Sequence, residues 1–306
     1  MDDVERLRVL VAGATGFVGR HLVPALVERG HAVRAMTRHP ETYDGPGEAV
    51  HGDVADPGGL AEALTDVDVA VYLVHSLDEH DFARRDADAA RGFGLACAAT
   101  GVRQIVHLGG LGRDEDELSE HLRSRREVEG LLAEGGVPVT SLRAAVVVGA
   151  GGISWEITRQ LVKNLPAMVV PQWATTLTQP IALDDVVRYL VGVIGTDEAL
   201  GRTFEVGGSD QLTYIEMMQQ ASEQISGRRL PIVTAPVLTP ELSSLWISTV
   251  TDVDTTTARN LIDSMGTEVL VTEDSIRELV PGEPLSYAEA VRRALEQARQ
   301  GDQQDD

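Results

Sequence analysis

The chain reads as an α/β protein built on a doubly wound parallel sheet, with a smaller, mainly helical C-terminal lobe on the substrate side. Three observations predict this. Short β-branched apolar runs alternate with helix-length amphipathic stretches through the first half. The runs are mostly apolar on both faces and are bounded by Gly, Asp or Pro, as strands covered by helices on two sides are. A glycine-spaced turn, "GATGFVG" from Gly13 to Gly19, joins the first run to the first helix.

In order, the strand-like runs are "LRVLVAG" (7–13), "HAVRAMTR" (31–38), "VDVAVYLVHS" (67–76), "RQIVHLGG" (103–110) and "VPVTSLRAAVVVGA" (137–150). Between them, "FVGRHLVPALVERG" reads as a helix stopped by Gly30, and "FARRDADAARGFGLACAATG" as one stopped by Gly101. After residue 150 the rhythm changes. "SWEITRQLVKNLP" predicts a helix, "AMVVP" and "TQPIAL" short strands, and "DDVVRYLVGVIG" a helix opened by acidic residues that suit its N-terminal dipole. "RTFEVGG" follows as a strand. In "TYIEMMQQASEQISG", Thr213 and Glu216 have capping-box spacing. The predicted division is residues 1–152 for the sheet domain, with 178–207 returning to it. Residues 153–177 and 208–300 form the lobe, and 301–306 a frayed tail.

Composition narrows the class. Of 306 residues, 43% are hydrophobic and 24% charged, as in soluble globular proteins. The 48 Asp and Glu against 26 Lys and Arg give a net charge of −22, which argues against nucleic acid and anionic membranes as partners. Lys163 is the sole lysine. This acidic, lysine-poor composition resembles that of proteins from salt-loving cells, with a GC-rich genome as the alternative source of the arginines. Cys97 is alone, so no intramolecular disulfide forms. No apolar run reaches about 18 residues, so neither a membrane span nor a signal peptide is expected and the chain reads as cytoplasmic.

Gly13, Gly16 and Gly19 follow a strand and open a helix, the context in which glycines make a dinucleotide cradle. Thr15 lies inside the same turn, and the amides near Phe17 and Val18 are placed to meet the phosphates. The second strand ends in "AMTRHP", with Arg38 and no acid, which predicts NADP(H) in preference to NAD(H). Arg20, in the first turn of the helix, is placed to assist. A solvated surface arginine is the alternative for Arg38.

"GATGFVGRHL", "HGDVAD", "VYLVHS", "RQIVHLGG" and "VTSLRAAVVVGAG", in this order, resemble the cofactor half of the extended and atypical short-chain dehydrogenases/reductases, whose sheet is Rossmann-like. The resemblance covers residues 7–210, continuing through "QPIALDDVVRYL" and "FEVGGSDQLTY". It implies that Asp53 and Val54 lie beside the adenine, and that Leu73, Val74 and His75 run along the ribose and pyrophosphate. Members with ordinary chemistry carry a Ser or Thr after strand five and a Tyr-x-x-x-Lys on the next helix. Here Gly109 and Gly110 stand where the hydroxyl is expected, and "DELSEHLRSRREVEGLLAEGG" contains neither tyrosine nor lysine. The chain therefore looks like an atypical subgroup lacking that pair.

His121 and Arg125 have the matching i, i+4 spacing, with Val128 and Leu132 continuing the face inward. One reading makes Arg125 the holder of the cofactor ribose and His121 the proton donor; the other places both on a solvated face. His75, Asp78, His80 and Asp81 lack clustered further ligands, so no metal is expected. His107 reads as a core histidine and Tyr214 as a packing residue. Trp155 and Trp173 sit near the expected lobe junction. If they face the cleft, they suit a flat apolar substrate such as a quinone, flavin or isoprenoid-like carbonyl. Residues 235–252, with Trp246, read as a core helix, a pocket wall or a partner interface.

The functional expectation is an NAD(P)(H)-dependent oxidoreductase passing hydride to or from a carbonyl, quinone or flavin-like small molecule. A catalytically silent dinucleotide-binding sensor or accessory subunit, with a protein partner or a second copy, is the alternative. A sugar-nucleotide epimerase or dehydratase is the third, and the missing Tyr-x-x-x-Lys argues against it.

Overall fold

The computed structural model describes residues 5–75, 82–112, 120–235, 251–252, 257, 259, 261–262 and 265–304. The first half contains β1 (Arg8–Ala12), α1 (Gly19–Glu28), β2 (Ala32–Thr37), β3 (Glu48–His51), α2 (Pro57–Ala63), β4 (Val69–Tyr72), α3 (Phe82–Thr100), β5 (Gln104–Gly110), α4 (Glu120–Ala133) and β6 (Val139–Ala144). There follow β7 (Val147–Val148), α5 (Ile153–Asn164), β8 (Met168–Val170), β9 (Leu177–Thr178), β10 (Ile181–Ala182), α6 (Leu183–Val193) and β11 (Thr203–Val206). The C-terminal part adds β12 (Leu212–Thr213), α7 (Tyr214–Ser226), β13 (Ile232–Thr234), α8 (Ile276–Leu279) and α9 (Tyr287–Gln304).

Seven parallel strands form the main sheet in the order β3-β2-β1-β4-β5-β6-β11, as the doubly wound pattern requires. Strand order runs outward from β1 to β3, then the chain crosses to β4 on the other side of β1. That reversal opens a crevice beyond the carboxyl ends of β1 and β4, the usual ligand position in such sheets. β1 is central: Val9, Leu10, Val11 and Ala12 are wholly buried, which is why its sequence has no polar face. Leu22, Val23 and Leu26 of α1 join Val186, Tyr189 and Leu190 of α6 in the core on one side of the sheet. Leu60, Phe93, Cys97, Val128 and Leu132, from α2, α3 and α4, fill the other. A third cluster joins Trp155 and Leu161 of α5, Met217 and Ala221 of α7, and Tyr287 and Val291 of α9.

Three differences from the sequence expectation have physical causes. β3 is an edge strand of four residues with exposed Glu48 and His51 ends, too short and too polar to register as a buried run. The run at 67–76 pairs only over Val69–Tyr72, because from Leu73 the chain leaves the sheet. The run at 137–150 is two strands: β6 stays in the sheet, whereas β7 pairs with β10. The capping box forms as read, with Thr213 Oγ1 accepting from Glu216 N (3.2 Å) and Glu216 Oε2 accepting from Thr213 N (2.8 Å). No helix among the described residues is long and apolar enough to cross a membrane.

Asp185, 4% exposed, ties the C-terminal segment to α6. Its Oδ2 accepts from Leu285 N (2.7 Å) and its Oδ1 from Arg188 Nη2 (2.9 Å). Nearby, Asp210 Oδ2 accepts from Tyr287 N at 2.7 Å. Asp185→Ala strands a part-buried amide and removes a charge-assisted bond, so it should lower unfolding free energy by about 2 kcal/mol. Urea denaturation of the two proteins reads this directly.

Candidate functional site

The site begins where β1 ends. Gly13 adopts φ +88, a conformation L side chains avoid, and Gly16 N donates back to its carbonyl at 3.0 Å. A Cβ on Gly19 would lie 2.1 Å from Gly13 O and 2.8 Å from Ala14, so only glycine lets α1 start this close to the turn. α1 carries no side-chain N-cap and no acid in its first turn. The amides of Phe17 and Val18 donate to no backbone acceptor among the described residues. Unspent amides at the positive end of a helix dipole are the physical requirement for holding pyrophosphate.

A cavity of about 400 Å³ opens over this turn. Its floor is Gly13, Thr15, Gly16, Phe17, Val18 and Gly19, with Leu73, Val74 and His75 beside them as β4 ends. The end of β5 contributes Gly109 and Gly110, and α4 contributes Arg125. Val146, Val147, Ile153 and Ser154 continue the wall. Tyr214, Leu261, Met265 and Val269 complete it from the C-terminal part. Sequence reasoning did not find this last group. No motif marks them, and only the capping box beside Tyr214 fixed where one of them stands in the chain.

The remaining sequence-predicted cofactor residues lie outside the cavity lining. Arg38 is exposed just past the end of β2. Arg20 is exposed with its guanidinium beside Gly151. Gly52 N donates to Thr37 O (3.0 Å), which holds Asp53 and Val54 at the same sheet edge, with Asp53 Oδ1 accepting from Ala55 N (2.9 Å) and Val54 buried. The residues present thus fit an extended dinucleotide: bare backbone for its centre, a carboxylate and an arginine near one end, and a cavity for the other.

At the expected catalytic position the glycine has a close side-chain neighbour. His107 and Gly109 share one face of β5, and a Cβ on Gly109 would come within 3.0 Å of His107 Cε1. His107 is buried, with Nδ1 3.2 Å from Ser141 Oγ. Burial first, then the charges of Arg125 and Arg143, push it down to about 3, so it is neutral at ordinary pH. Arg125 is half-buried and makes no hydrogen bond or ion pair with another described residue. Lost hydration holds its guanidinium below its ordinary value, with Asp86 on α3 pulling the other way. His121 lies on the first turn of α4, and its side chain is outside the described residues.

Tyr214 is the first residue of α7 and is 8% exposed. Burial pushes its phenol up to about 12, the neighbouring Thr178 hydroxyl drawing it partly back. The Trp173 ring stands edge-on to it, with centroids 5.9 Å apart. Trp155 and Trp173 are packed away from the cavity, and their Nε1 atoms are buried without a hydrogen-bond partner among the described residues. Among those residues no group of three or more His, Cys, Asp or Glu is placed to hold a metal. Asp78, His80, Asp81 and Trp246 lie outside them.

Residues 13–165 match the family model described as NAD(P)H-binding. The (4-alkanoyl-5-oxo-2,5-dihydrofuran-3-yl)methyl phosphate reductase of Streptomyces griseus is 31% identical over 234 residues, 72% of this chain and 75% of that protein. The ceramide reductase of Caulobacter vibrioides is 29% identical over 251 residues, 78% of each. The solved NADPH-dependent quinone oxidoreductase of Escherichia coli, complexed with NADPH, has the same fold. Its TM-score is 0.76 at 16% identity, covering 94% of this chain and all of that one.

Two measurements check this geometry. Gly19→Ala should weaken NADPH binding at least about tenfold in a fluorescence titration while the far-ultraviolet spectrum is kept, since the added carbon displaces the helix start. The His107 ring proton resonances should stay at neutral positions from about pH 7.5 to about pH 4.5; an inflection near the usual histidine value contradicts the buried, cation-flanked setting.

Proposed function

The chain belongs to the NAD(P)H-binding family, within the atypical short-chain dehydrogenases/reductases, and is an NAD(P)-dependent oxidoreductase; from that premise we propose that it prefers NADPH and reduces a carbonyl carried on an apolar body. The observation that carries the cofactor preference is the position of Arg38, exposed just past the end of β2 with no acid between Thr37 and His39. Arg20 and Arg38, along the dinucleotide path, form no ion pair with a described residue, as is also true of exposed arginines elsewhere such as Arg6 and Arg29, while Arg125 has the charge of Asp86 near it. In a chain of net charge −22, an arginine free of carboxylates at the end of the second strand suits an anionic ligand there, and we assign it the 2′-phosphate.

The apolar wall supports the substrate class. Val146, Ile153, Leu261, Met265 and Val269 offer contact area and no hydrogen bonds, which favours an alkyl or flat hydrocarbon body. The two reductases named above as relatives support it, one named for an alkanoyl-substituted molecule and one for ceramide. When bound, the reduced nicotinamide supplies the hydride. In this reading the glycine turn holds the pyrophosphate, Arg125 steadies the ribose next to the nicotinamide, and His121 provides the proton. The cytoplasm is the proposed location.

NADPH oxidation with medium-chain ketones and aldehydes, quinones and flavins tests the reaction. Tight NADPH binding with no turnover on any of them replaces it with a sensor or accessory-subunit role, which Gly109 and Gly110 favour by standing in place of the family hydroxyl. For the cofactor, Arg38→Asp should weaken NADPH at least about tenfold and NADH less than about threefold, because it removes a phosphate contact the second cofactor does not make. Equal losses would refute the assignment of Arg38.

A further inference from the structure

We infer that the Tyr214 hydroxyl is the donor that grips the substrate's carbonyl oxygen and so selects carbonyl compounds over plain hydrocarbons. The inference rests on the carbonyl-reductase reading above. The phenol shares one cavity with the glycine turn and with Gly109 and Gly110, the positions where a hydroxyl is missing. Among the other polar residues on the cavity wall, Thr15 and His75 are exposed and stand by the cofactor turn, and Arg125 belongs to α4. Among the described residues, Ser154 and Tyr214 bring a neutral hydroxyl to the apolar wall. Ser154 is half-exposed, whereas Tyr214 is buried, so water competes least for its hydrogen bond.

The phenol has a second hydroxyl for a neighbour. Thr178 stands beside it, close enough for its hydroxyl to draw the phenol's pKa partly back, and Thr178 is itself buried. Two neighbouring hydroxyls use only one of their two protons on each other, so the second, next to an apolar cavity, suits a ligand with one acceptor oxygen. Burial keeps the phenol un-ionised across the working pH range, which suits a group that donates a hydrogen bond without giving up its proton. Trp173 against the ring and the capping box at Thr213 fix where the hydroxyl points, so the oxygen it holds has one place to sit.

The test compares full-length wild type with Tyr214→Phe, each saturated with NADPH's oxidised form and titrated with 2-nonanone and with nonane. Binding is read from tryptophan fluorescence, and NADPH affinity is measured separately in each protein. Wild type should prefer the ketone by about tenfold, the worth of one buried neutral hydrogen bond, and the variant by less than about twofold, with nonane and NADPH affinities unchanged. A ketone preference kept in full by the variant overturns the inference, as does wild type that binds both probes equally. In turnover of 2-nonanone, a variant with raised KM supports it. If wild type reduces 2-nonanone and the variant matches it in kcat and KM, the inference falls and the reductase reading stands. If wild type binds no NADPH, the reductase reading itself falls.

Discussion

The rest of the site depends on one steric contact, the start of α1 against the turn that precedes it. Gly19 lies so close to the Gly13 carbonyl that any side chain would collide with backbone, which has no rotamer to yield. Because the helix begins there, its first amides emerge over the carboxyl end of β1 with their hydrogen bonds unspent. Gly13 is in turn pressed against the backbone of Leu73, where a Cβ would meet carbonyl carbon at 3.3 Å. One helix start therefore sets both walls of the crevice between β1 and β4. The wholly buried β1 gives that contact a rigid base, since its residues are packed by helices from both faces.

A second close contact shapes the end of β5. With His107 on the same face, a Cβ at residue 109 would meet His107 Cε1 at 3.0 Å, so a side chain there requires the imidazole to give way by a few tenths of an ångström. The histidine is not a substitute acid, because burial and two flanking arginines keep it neutral. What remains at that end of the cavity is a poorly hydrated cation, Arg125, over bare glycine backbone. The cavity is closed from the C-terminal part of the chain by Tyr214, Leu261, Met265 and Val269.

Legibility in the sequence followed the range of the interactions. Strands buried on both faces announce themselves by continuous apolar residues, and the glycine turn by backbone demands that only glycine meets, so the sheet and the turn were readable. The edge strand at Glu48–His51 was not, because pairing along one edge leaves no hydrophobic signature. Thr213 and Glu216 announced their helix start because capping is local. Tyr214, one residue on, could be read only as packing. Its place on the cavity wall depends on β9, β12 and the segment at Leu261–Val269 meeting around it, contacts tens of residues apart in sequence. Spacing from His121 drew attention to Arg125, but its burial beside Asp86 of α3 and His107 of β5 depends on three elements meeting.

Charge sets the terms on which such a site can work. A chain of net charge −22 repels an anionic dinucleotide at long range, and that repulsion is felt over a Debye length of about 8 Å at physiological salt. Binding then has to be won at contact distance. Backbone amides do this without adding net charge, and they cannot be neutralised by the surrounding carboxylates as side chains can. Arginines do it only where no carboxylate claims them first, which in so acidic a chain requires that acids be kept away. The first turn of α1 contains none, and the stretch from Thr37 to His39 contains none. Elsewhere the same residue type is spent on pairs such as Arg143–Glu129 at 3.0 Å, which hold α4 to β6. Arginines such as Arg143 are thus committed to ion pairs that build the fold, while the first turn of α1, at the edge of the crevice, is kept clear of acids.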